Sequence, residues 1–411
     1  MNANGTKTAV MIGAGNIGRG FVGAAFAASG YETVFIDADE RLVAEIGARG
    51  EYPVRLLLPD GGRPETIIRN VRAVNGNDTE EAARAIAHAD LCGVSVGARA
   101  LPQIAPLLAA GLAARVRENT GPLDTIVCEN LIDAGGRLRE LVLAAAPAEI
   151  SPEIDRIAGF PEAVIGRMVP IQTDEMKDGD PLRICAEKYA FLPVDKAAFK
   201  GMIPPVEGMV PFDGFGYYVK RKLFLHNLGH AAVAYLGLLK GYTHIADAVD
   251  DADILFLTTG AMHESAVALG LENRGDEANL ECHIDSLLYR FANRALEDTC
   301  ARVAADPVRK LGREDRLIGA LLNCEAYGLP TVYIAAVAAA AAEVLERTWE
   351  GDGTLPPLSE ITGLSADSES FATILALRAA IASPSGSPLR FASVAALRRT
   401  AMKLAGDITI L

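Results

Sequence analysis

The sequence predicts an α/β domain followed by a mostly α-helical one, and three observations carry that expectation. Short β-branched apolar runs alternate with helically spaced segments through the first third of the chain. A glycine-rich turn separates the first run from the first helix, and beyond about residue 210 the apolar spacing is helical almost throughout. The length, 411 residues, also exceeds what a single core usually holds.

The run Thr8-Ala-Val-Met-Ile12 reads as a buried strand, and Gly13-Ala-Gly15-Asn16-Ile17-Gly18 follows it directly. Residues 21–29 are small and apolar at helical spacing up to Gly30, and a second strand, 33–36, ends in Asp37. Strand, glycine turn, helix, strand, acid is the order of a Rossmann-type dinucleotide-binding unit. Gly13 permits the tight turn, Gly15 lets the backbone approach a pyrophosphate, and Gly18 lets helix and strand pack; Asn16 and Ile17 lie in the same binding turn. A carboxylate at Asp37 accepts from a ribose 2′-hydroxyl and repels a 2′-phosphate, while Ala38 follows it and the nearest base is Arg41. NAD is the expected cofactor.

Residues 52–58 and 65–74 flank Pro59-Asp-Gly-Gly62 and predict a hairpin inserted into this domain. Helices are expected at 82–87 and 101–116, and strands at 91–96, 125–128 and 182–186. The first two of those strands run into Gly97 and into Glu129-Asn130. Ligands of an open parallel sheet bind outside the carboxyl ends of its strands, so Gly97 and Asn130 belong to the cofactor side, although Asn130 alone reads equally well as a turn former. Pro204-Pro205 and Gly208 mark a loop, and the domain boundary is expected near 195–210. Residues 1–200 are then the nucleotide-binding domain and 201–383 a helical substrate domain, with helices near 215–240, 259–268, 278–304, 314–326, 332–348 and 368–382. The stretch 383–388, rich in Ser and Pro, reads as a linker to a basic terminal helix at 389–404, so that 384–411 forms a separate tail.

Bulk properties narrow the partners. A net charge of −14 argues against nucleic acid or an anionic membrane, both of which reward a basic face. Six scattered cysteines without a Cys-x-x-Cys pair suit reduced thiols in a cytoplasm, and no metal is expected. The apolar run 9–12 is too short for a signal peptide, and 335–344, the nearest approach to a membrane span, falls short of about 18 apolar residues.

The helical domain opens on Lys-Leu-Phe-Leu-His-Asn-Leu-Gly-His, 222–230. In an α-helix, Lys222, Asn227 and His230 fall within an arc of roughly 140° and rise about 12 Å along the axis. An amine, an amide and an imidazole on one face can serve a substrate hydroxyl, one taking its proton and two holding the oxygen. The same pattern also describes an amphipathic helix with a wet Lys and a core His.

Four motifs together resemble the long-chain polyol dehydrogenases: Gly-Ala-Gly-Asn-Ile-Gly-Arg-Gly-Phe (13–21), Cys-Glu-Asn (128–130), Arg-Lys-Leu-Phe-x-x-Asn-x-Gly-His (221–230) and Arg-Phe-x-Asn (290–293). Pro307-Val-Arg-Lys-Leu311 and Asp315-Arg-Leu317 narrow the resemblance to members acting on phosphorylated polyols, and it runs from about residue 8 to 382. It implies NAD-dependent, metal-independent hydride transfer between mannitol 1-phosphate and fructose 6-phosphate or a close pair. Lys222 is then the general base, Asn130 and Asn227 hydrogen-bond the developing alkoxide, and His230 orients the same oxygen. A free Lys titrates near 10.4, so such a base must be desolvated or set beside cations.

His226 shares the arc of Lys222 and either lines the site or packs in the core. Arg302, Arg309, Lys310, Arg313 and Arg316 make a basic cluster; some of Arg309, Lys310 and Arg316 are expected to bind the substrate phosphate, unless the cluster is an ordinary charged face. The chain departs from the family at Pro161-Glu-Ala163, Gly166-Arg167 and Asn293-Arg294, which bears on the substrate. A non-phosphorylated polyol or a hexuronate is the alternative within the mechanism, and an NAD(H)-binding redox sensor without turnover is the alternative outside it. The expected partner is a small sugar phosphate or polyol, with the chain a monomer or small homo-oligomer.

Overall fold

The computed structural model describes residues 6–273, 277–351, 353–382 and 391–406. The chain divides into two compact units, one ending at Tyr218 and the other beginning at Val219. The Pro204-Pro205 loop lies inside the first unit and is followed by one more strand.

The first unit contains strands β1 (Thr8–Ile12), β2 (Glu32–Asp37), β3 (Glu51–Leu56), β4 (Glu65–Arg69), β5 (Val71–Asn75), β6 (Leu91–Val94), β7 (Leu123–Val127), β8 (Ala158–Gly159), β9 (Ile184–Ala186), β10 (Leu192–Asp195) and β11 (Met209–Phe212). Six of them form one sheet in the order β5-β2-β1-β6-β7-β8, every pairing parallel. A parallel sheet covered on both faces needs strands apolar on both sides, and all five residues of β1 are buried. Successive side chains alternate between faces. Val10 and Ile12 pack with Val34, Val94, Leu108 and Leu112 on one side, and Ala9 and Met11 with Phe26, Phe35 and Tyr52 on the other.

The expected hairpin exists, but it is shorter than the sequence suggests. β3 and β4 pair antiparallel from Glu51 opposite Arg69 to Arg55 opposite Glu65. The strand expected over 65–74 breaks at Asn70, whose φ is +59°. Asn tolerates that left-handed conformation better than most residues, and the turn releases β5 to join the main sheet beside β2. β9 then extends the hairpin in parallel with β3.

The second unit is helical among its described residues. Its centre is the Leu228–Lys240 helix, in which all but two residues are buried. The helices Ala252–Glu272, Val332–Arg347, Cys300–Ala304 and Phe391–Ala405 pack against it. The alanine run from 335 to 342 is buried throughout, its short side chains letting neighbouring backbones approach. Ala252–Glu272 is much longer than the 259–268 segment expected, and it, rather than 335–344, is long and apolar enough to cross a membrane; 61% of its apolar window is buried in the protein. The single helix expected over 278–304 is two, Glu277–Phe291 and Cys300–Ala304. Between them the Asn293 side chain accepts from Ala295 N, Glu297 takes a left-handed φ of +52°, and Thr299 Oγ1 accepts from Arg302 N to start the next helix. Local side-chain bonds of this kind compete with helix continuation.

Phe391–Ala405 is a helix, but it packs within the second unit, burying Val394, Leu397 and Ala401, rather than standing apart as a tail, and the linker expected at 383–388 lies outside the described residues. Arg398 fastens this helix, its Nη1 donating to Asp253 Oδ1 at 3.0 Å and its guanidinium lying 4.4 Å from the centre of the Phe256 ring. Nearby, buried Lys240 donates to both oxygens of Asp251 at 2.6 and 2.8 Å and to Asp253 at 2.9 Å. Removing one partner of a buried charge pair strands the other. Lys240→Ala is therefore expected to cost about 3 kcal/mol. Arg398→Ala, whose charge is partly hydrated, should cost about 1 kcal/mol. Urea titrations of the two variants check the order.

Candidate active site

The three glycines of the first turn are required for three different reasons. Gly13 has a φ of +96°, and a Cβ on it would come within 2.2 Å of Ser95 O. A Cβ on Gly18 would stand 1.9 Å from Gly13 O, so the helix could not start so close to the strand. Gly15 is exposed and a Cβ there meets nothing within 4 Å, which leaves room for an anionic group against the backbone. Asp37 is anchored at the end of β2: Oδ2 accepts from Ala14 N at 2.7 Å and Oδ1 from Asp39 N at 2.9 Å. The acid thus holds the glycine turn as well as standing where a ribose diol would be read. Asn16 Nδ2 donates to Pro170 O at 3.2 Å.

Two residues without an assigned role in the sequence reading brace this cradle. Arg19 is buried, donating from Nε to Ala14 O at 2.7 Å and from Nη1 to Leu182 O at 2.5 Å. Burial holds its guanidinium below its ordinary pKa, against the pull of Tyr52 and Asp37. Glu129, of the Cys-Glu-Asn motif, is buried at the end of β7 and accepts on Oε1 from Val96 N at 2.8 Å and Gly97 N at 3.0 Å. Burial pushes its carboxyl up, while those two backbone donors oppose the shift. Gly97, with a φ of +87° and open space around it, is held at the end of β6 by this clamp, and Asn130 follows Glu129 as an exposed residue. Gly13 to Gly18, Asp37, Gly97 and Asn130 therefore all lie at the carboxyl ends of neighbouring parallel strands, where a dinucleotide binds. The residues present fit NAD.

In the second unit the segment 222–230 is not wholly the α-helix the sequence suggests. Lys222–Asn227 forms a wide π-turn before the Leu228–Lys240 helix. A π-turn bonds residue i to i+5 and so turns less per residue than an α-helix. Lys222 and Asn227 are five apart; the wide turn brings closer together around the axis two positions that a regular α-helix would set roughly 140° apart. The turn is packed in place. Phe224 lies against Gly319, where a Cβ would come within 3.0 Å of its ring, and Gly229 lies against Met262, whose sulfur would be 2.5 Å from a Cβ. Lys222 and Asn227 are half-buried.

His230 stacks on Phe291, with centroids 4.8 Å apart and planes inclined by 9°. Its Nε2 lies 3.1 Å from Asp298 Oδ2, within ion-pair reach but oblique to the ring N–H direction. Burial lowers the His230 pKa; Asp298 opposes this, and Arg302 and Arg316 add to it. Asp298, though burial acts the other way, is held well below the usual carboxylate range by His230 and Arg302. His226 is buried, its ring 6.0 Å from that of His230 and 5.8 Å from Phe291. Burial first, then Arg290, His230, Lys222 and His283, keep it neutral. His226 and His230 do carry the His-x-x-x-His spacing of some metal sites, which the expectation of no metal passed over. Among the described residues no group of three potential metal ligands is assembled.

The basic cluster divides. Arg302 binds Asp298, and Arg313 donates to Gly363 O at 2.7 Å. Arg309, Lys310 and Arg316 gather near Asp315. Arg309 bonds Asp306 at 2.7 Å and Asp315 at 2.8 Å, and Arg316 bonds Asp315 at 2.7 Å. Lys310 is buried with its ammonium on Ala305 O, and burial together with Arg316 and Arg309 pushes its pKa down to about 8. Arg316 also depresses His230, so the cluster adjoins the imidazole electrostatically.

A dinucleotide cradle with an acid at the ribose position and a helical unit presenting amine, amide and imidazole are the parts of an NAD-dependent dehydrogenase. The chain belongs to the mannitol dehydrogenase family: residues 7–208 match the mannitol dehydrogenase Rossmann domain and 216–356 the mannitol dehydrogenase C-terminal domain. It is an NAD-dependent polyol dehydrogenase. The mannitol-1-phosphate 5-dehydrogenase of Brevibacillus brevis is 37% identical over 333 residues, 81% of this chain and 85% of that one. That of Oceanobacillus iheyensis is 35% identical over 88% of this chain and 95% of its own. The fold is shared with a crystal structure of D-sorbitol dehydrogenase, at 18% identity, a TM-score of 0.75 and 96% coverage of both chains. It is shared too with the mannitol 2-dehydrogenase of Pseudomonas fluorescens, at 18% identity and a TM-score of 0.68, covering 98% of this chain and 93% of that one.

The glycines separate folding from binding. Gly18→Ala is expected to lower stability by about 2 kcal/mol or more because its Cβ has no space. Gly15→Ala should leave the melting temperature unchanged and weaken NADH binding at least about tenfold. Thermal melts beside fluorescence titrations with NADH check both.

Proposed function

We propose that this polyol dehydrogenase interconverts mannitol 1-phosphate and fructose 6-phosphate without a metal, with Lys222 as general base. The observation that supports the reading is the wide turn from Lys222 to Asn227, which narrows the angle between these two positions. In the oxidation, Lys222 Nζ takes the proton of the reacting hydroxyl while the Asn227 amide donates to the oxygen as its charge develops. His230 orients that oxygen, and the family resemblance gives Asn130, on the first unit, a donor role toward it. NAD, held by Gly13, Gly15, Asn16, Ile17, Gly18, Asp37 and Gly97, supplies the hydride acceptor when bound. In the reverse direction the Lys222 ammonium returns its proton to the carbonyl oxygen.

The phosphate assignment is supported by two things: the relatives that are 35% and 37% identical are mannitol-1-phosphate 5-dehydrogenases, and Arg309, Lys310 and Arg316 collect around Asp315, with Arg316 near enough to lower the pKa of His230. One observation favours a plain polyol instead. The carboxylates of Asp306 and Asp315 already hold Arg309 and Arg316, so a phosphate has to compete with them.

Rates of NADH oxidation with fructose 6-phosphate and with fructose decide between the two, and a clear preference for fructose would end the phosphate reading. Lys222→Ala should lower kcat by about a thousandfold while NADH still binds; an unchanged rate would leave a nucleotide binder with another base or none. Arg309→Ala should raise KM for the phosphorylated sugar about tenfold, without change in KM for NADH. Exhaustive dialysis against a chelator is expected to leave the rate intact.

A further inference from the structure

Three side chains close on the His230 ring. Phe291 lies parallel to it at 4.8 Å, from the end of the Glu277–Phe291 helix. His226, on the same stretch of helix as His230, stands 6.0 Å away. Asp298, in the segment before the Cys300–Ala304 helix, places Oδ2 3.1 Å from Nε2, within ion-pair reach and to one side of the ring N–H direction. Asp298 is itself anchored more firmly than a side chain with one partner. Arg302 donates to its two oxygens from Nε and Nη2 at 2.6 Å each. Its backbone carbonyl accepts from Ile245 N at 2.9 Å, and the next residue, Thr299, is bridged to His244. Only 11% of the side chain is exposed.

We propose that Asp298 is the positioning residue of His230: its carboxylate, 3.1 Å from Nε2, favours the ring proton on that nitrogen and the ring flat on Phe291, leaving Nδ1 as an acceptor for a hydroxyl that polyol and ketose share, beside the reacting oxygen. A carboxylate on one imidazole nitrogen selects the tautomer at the other. Asp298 has no need to touch substrate for this, and Arg302 acts one step further out by holding Asp298. The inference rests on the proposed place of His230 at the substrate.

The charges around the ring give the test a sign. Asp298 raises the pKa of His230, whereas burial, Arg302 and Arg316 lower it; His226 is neutral and Phe291 uncharged. A protonated ring has no acceptor nitrogen, so activity is lost on the acid side as His230 titrates. Asp298→Asn removes the one group that raises the pKa, and the acid limb moves to lower pH. Arg302→Met removes a group that lowers it, and the limb moves to higher pH. Displacements of about half a pH unit or more are expected, in opposite directions. Asp298→Asn should also lower kcat/KM for the sugar about tenfold to a hundredfold, since the amide no longer selects the tautomer.

The measurement is kcat/KM against pH for sugar reduction by NADH, the direction in which protonation of Lys222 does not cause the acid limb. Substrate phosphate and cofactor titrate alike in every variant, so differences between variants report on the protein. Opposite displacements, with NADH affinity and melting temperature near those of the unaltered protein, support the proposal; limbs that stay put or move together overturn it. Should Asp298→Asn not fold, Arg302→Met decides alone, since that side chain is 45% exposed and its loss is tolerable. His230→Gln is the control. If it leaves turnover intact, the placing of His230 at the substrate fails, and this inference with it. If it abolishes turnover while the other two limbs do not diverge, only the role of Asp298 fails.

Discussion

The proposed site in the second unit depends on one departure from helical regularity, the extra residue accommodated between Lys222 and Asn227. A regular α-helix stacks residues four apart, so an amine and an amide five apart stand at opposite edges of a broad face. The wide turn trades good backbone hydrogen bonds for a narrower angle between these two positions, and such an exchange persists only where the surroundings determine it. Here they do. The helix that continues from it, Leu228–Lys240, is the most deeply buried in its unit, and Gly229 and Gly319 permit contacts with Met262 and Phe224 that no larger residue allows. The geometry of the proposed base is thus maintained by the core behind it.

Carboxylates withdrawn wholly or partly from solvent organise both units, each in a different way. Asp37 and Glu129 accept from backbone N–H groups and so fix loops, Asp37 the glycine turn and Glu129 the Val96-Gly97 bend. Asp298 and Asp315 accept from side chains and so fix cations, Arg302 in one case, Arg309 and Arg316 in the other. A carboxylate with several donors stays ionised despite burial when those donors outweigh desolvation. That balance falls below the usual range for Asp298 and Asp315 and above it for Glu129, which has only two neutral donors. The acidic composition of the chain, read at first only as an argument against nucleic acid, supplies these internal anchors.

The parts legible in the sequence are those whose physics is local. Gly13, Gly15, Gly18 and Asp37 lie within one strand-turn-helix-strand unit, and the parallel sheet around them has the layout such a unit implies. Spacing also gives helices near 215–240 and 332–348, within which Leu228–Lys240 and Val332–Arg347 lie. What periodicity alone did not show were interruptions within apolar runs: the left-handed Asn70 that sends β5 into the main sheet, the break between Phe291 and Cys300, and the wide turn itself. Two of the three carried a signal in hindsight, since Asn is the commonest non-glycine in left-handed turns and Asn293 and Thr299 are helix-starting residues. The π-turn had none, because its cause is packing against residues tens of positions away. For the same reason Asp298, 68 residues beyond His230 in the chain, could not be paired with it from spacing; only its i,i+4 relation to Arg302 was visible.

The self-paired basic cluster need not argue against a phosphorylated substrate. Arg309 is 49% exposed, and an ion pair so hydrated contributes under about 1 kcal/mol, so transferring its guanidinium from Asp306 to a phosphate oxygen costs little. Arg316 is only 9% exposed and stays with Asp315, a fixed wall rather than a moving grip. Lys310 is different again: its pKa of about 8 reflects burial beside two guanidinium groups, and a dianion brought into that surrounding would restore its ordinary affinity for a proton. Under the proposed function, phosphate binding at and above about pH 8 is therefore coupled to proton uptake at Lys310. A plain hexitol brings no charge to repay the same burial, and the cluster would then keep Lys310 partly neutral to no purpose. Under the proposed function it is this lysine, more than the number of arginines, whose burial an anionic substrate offsets.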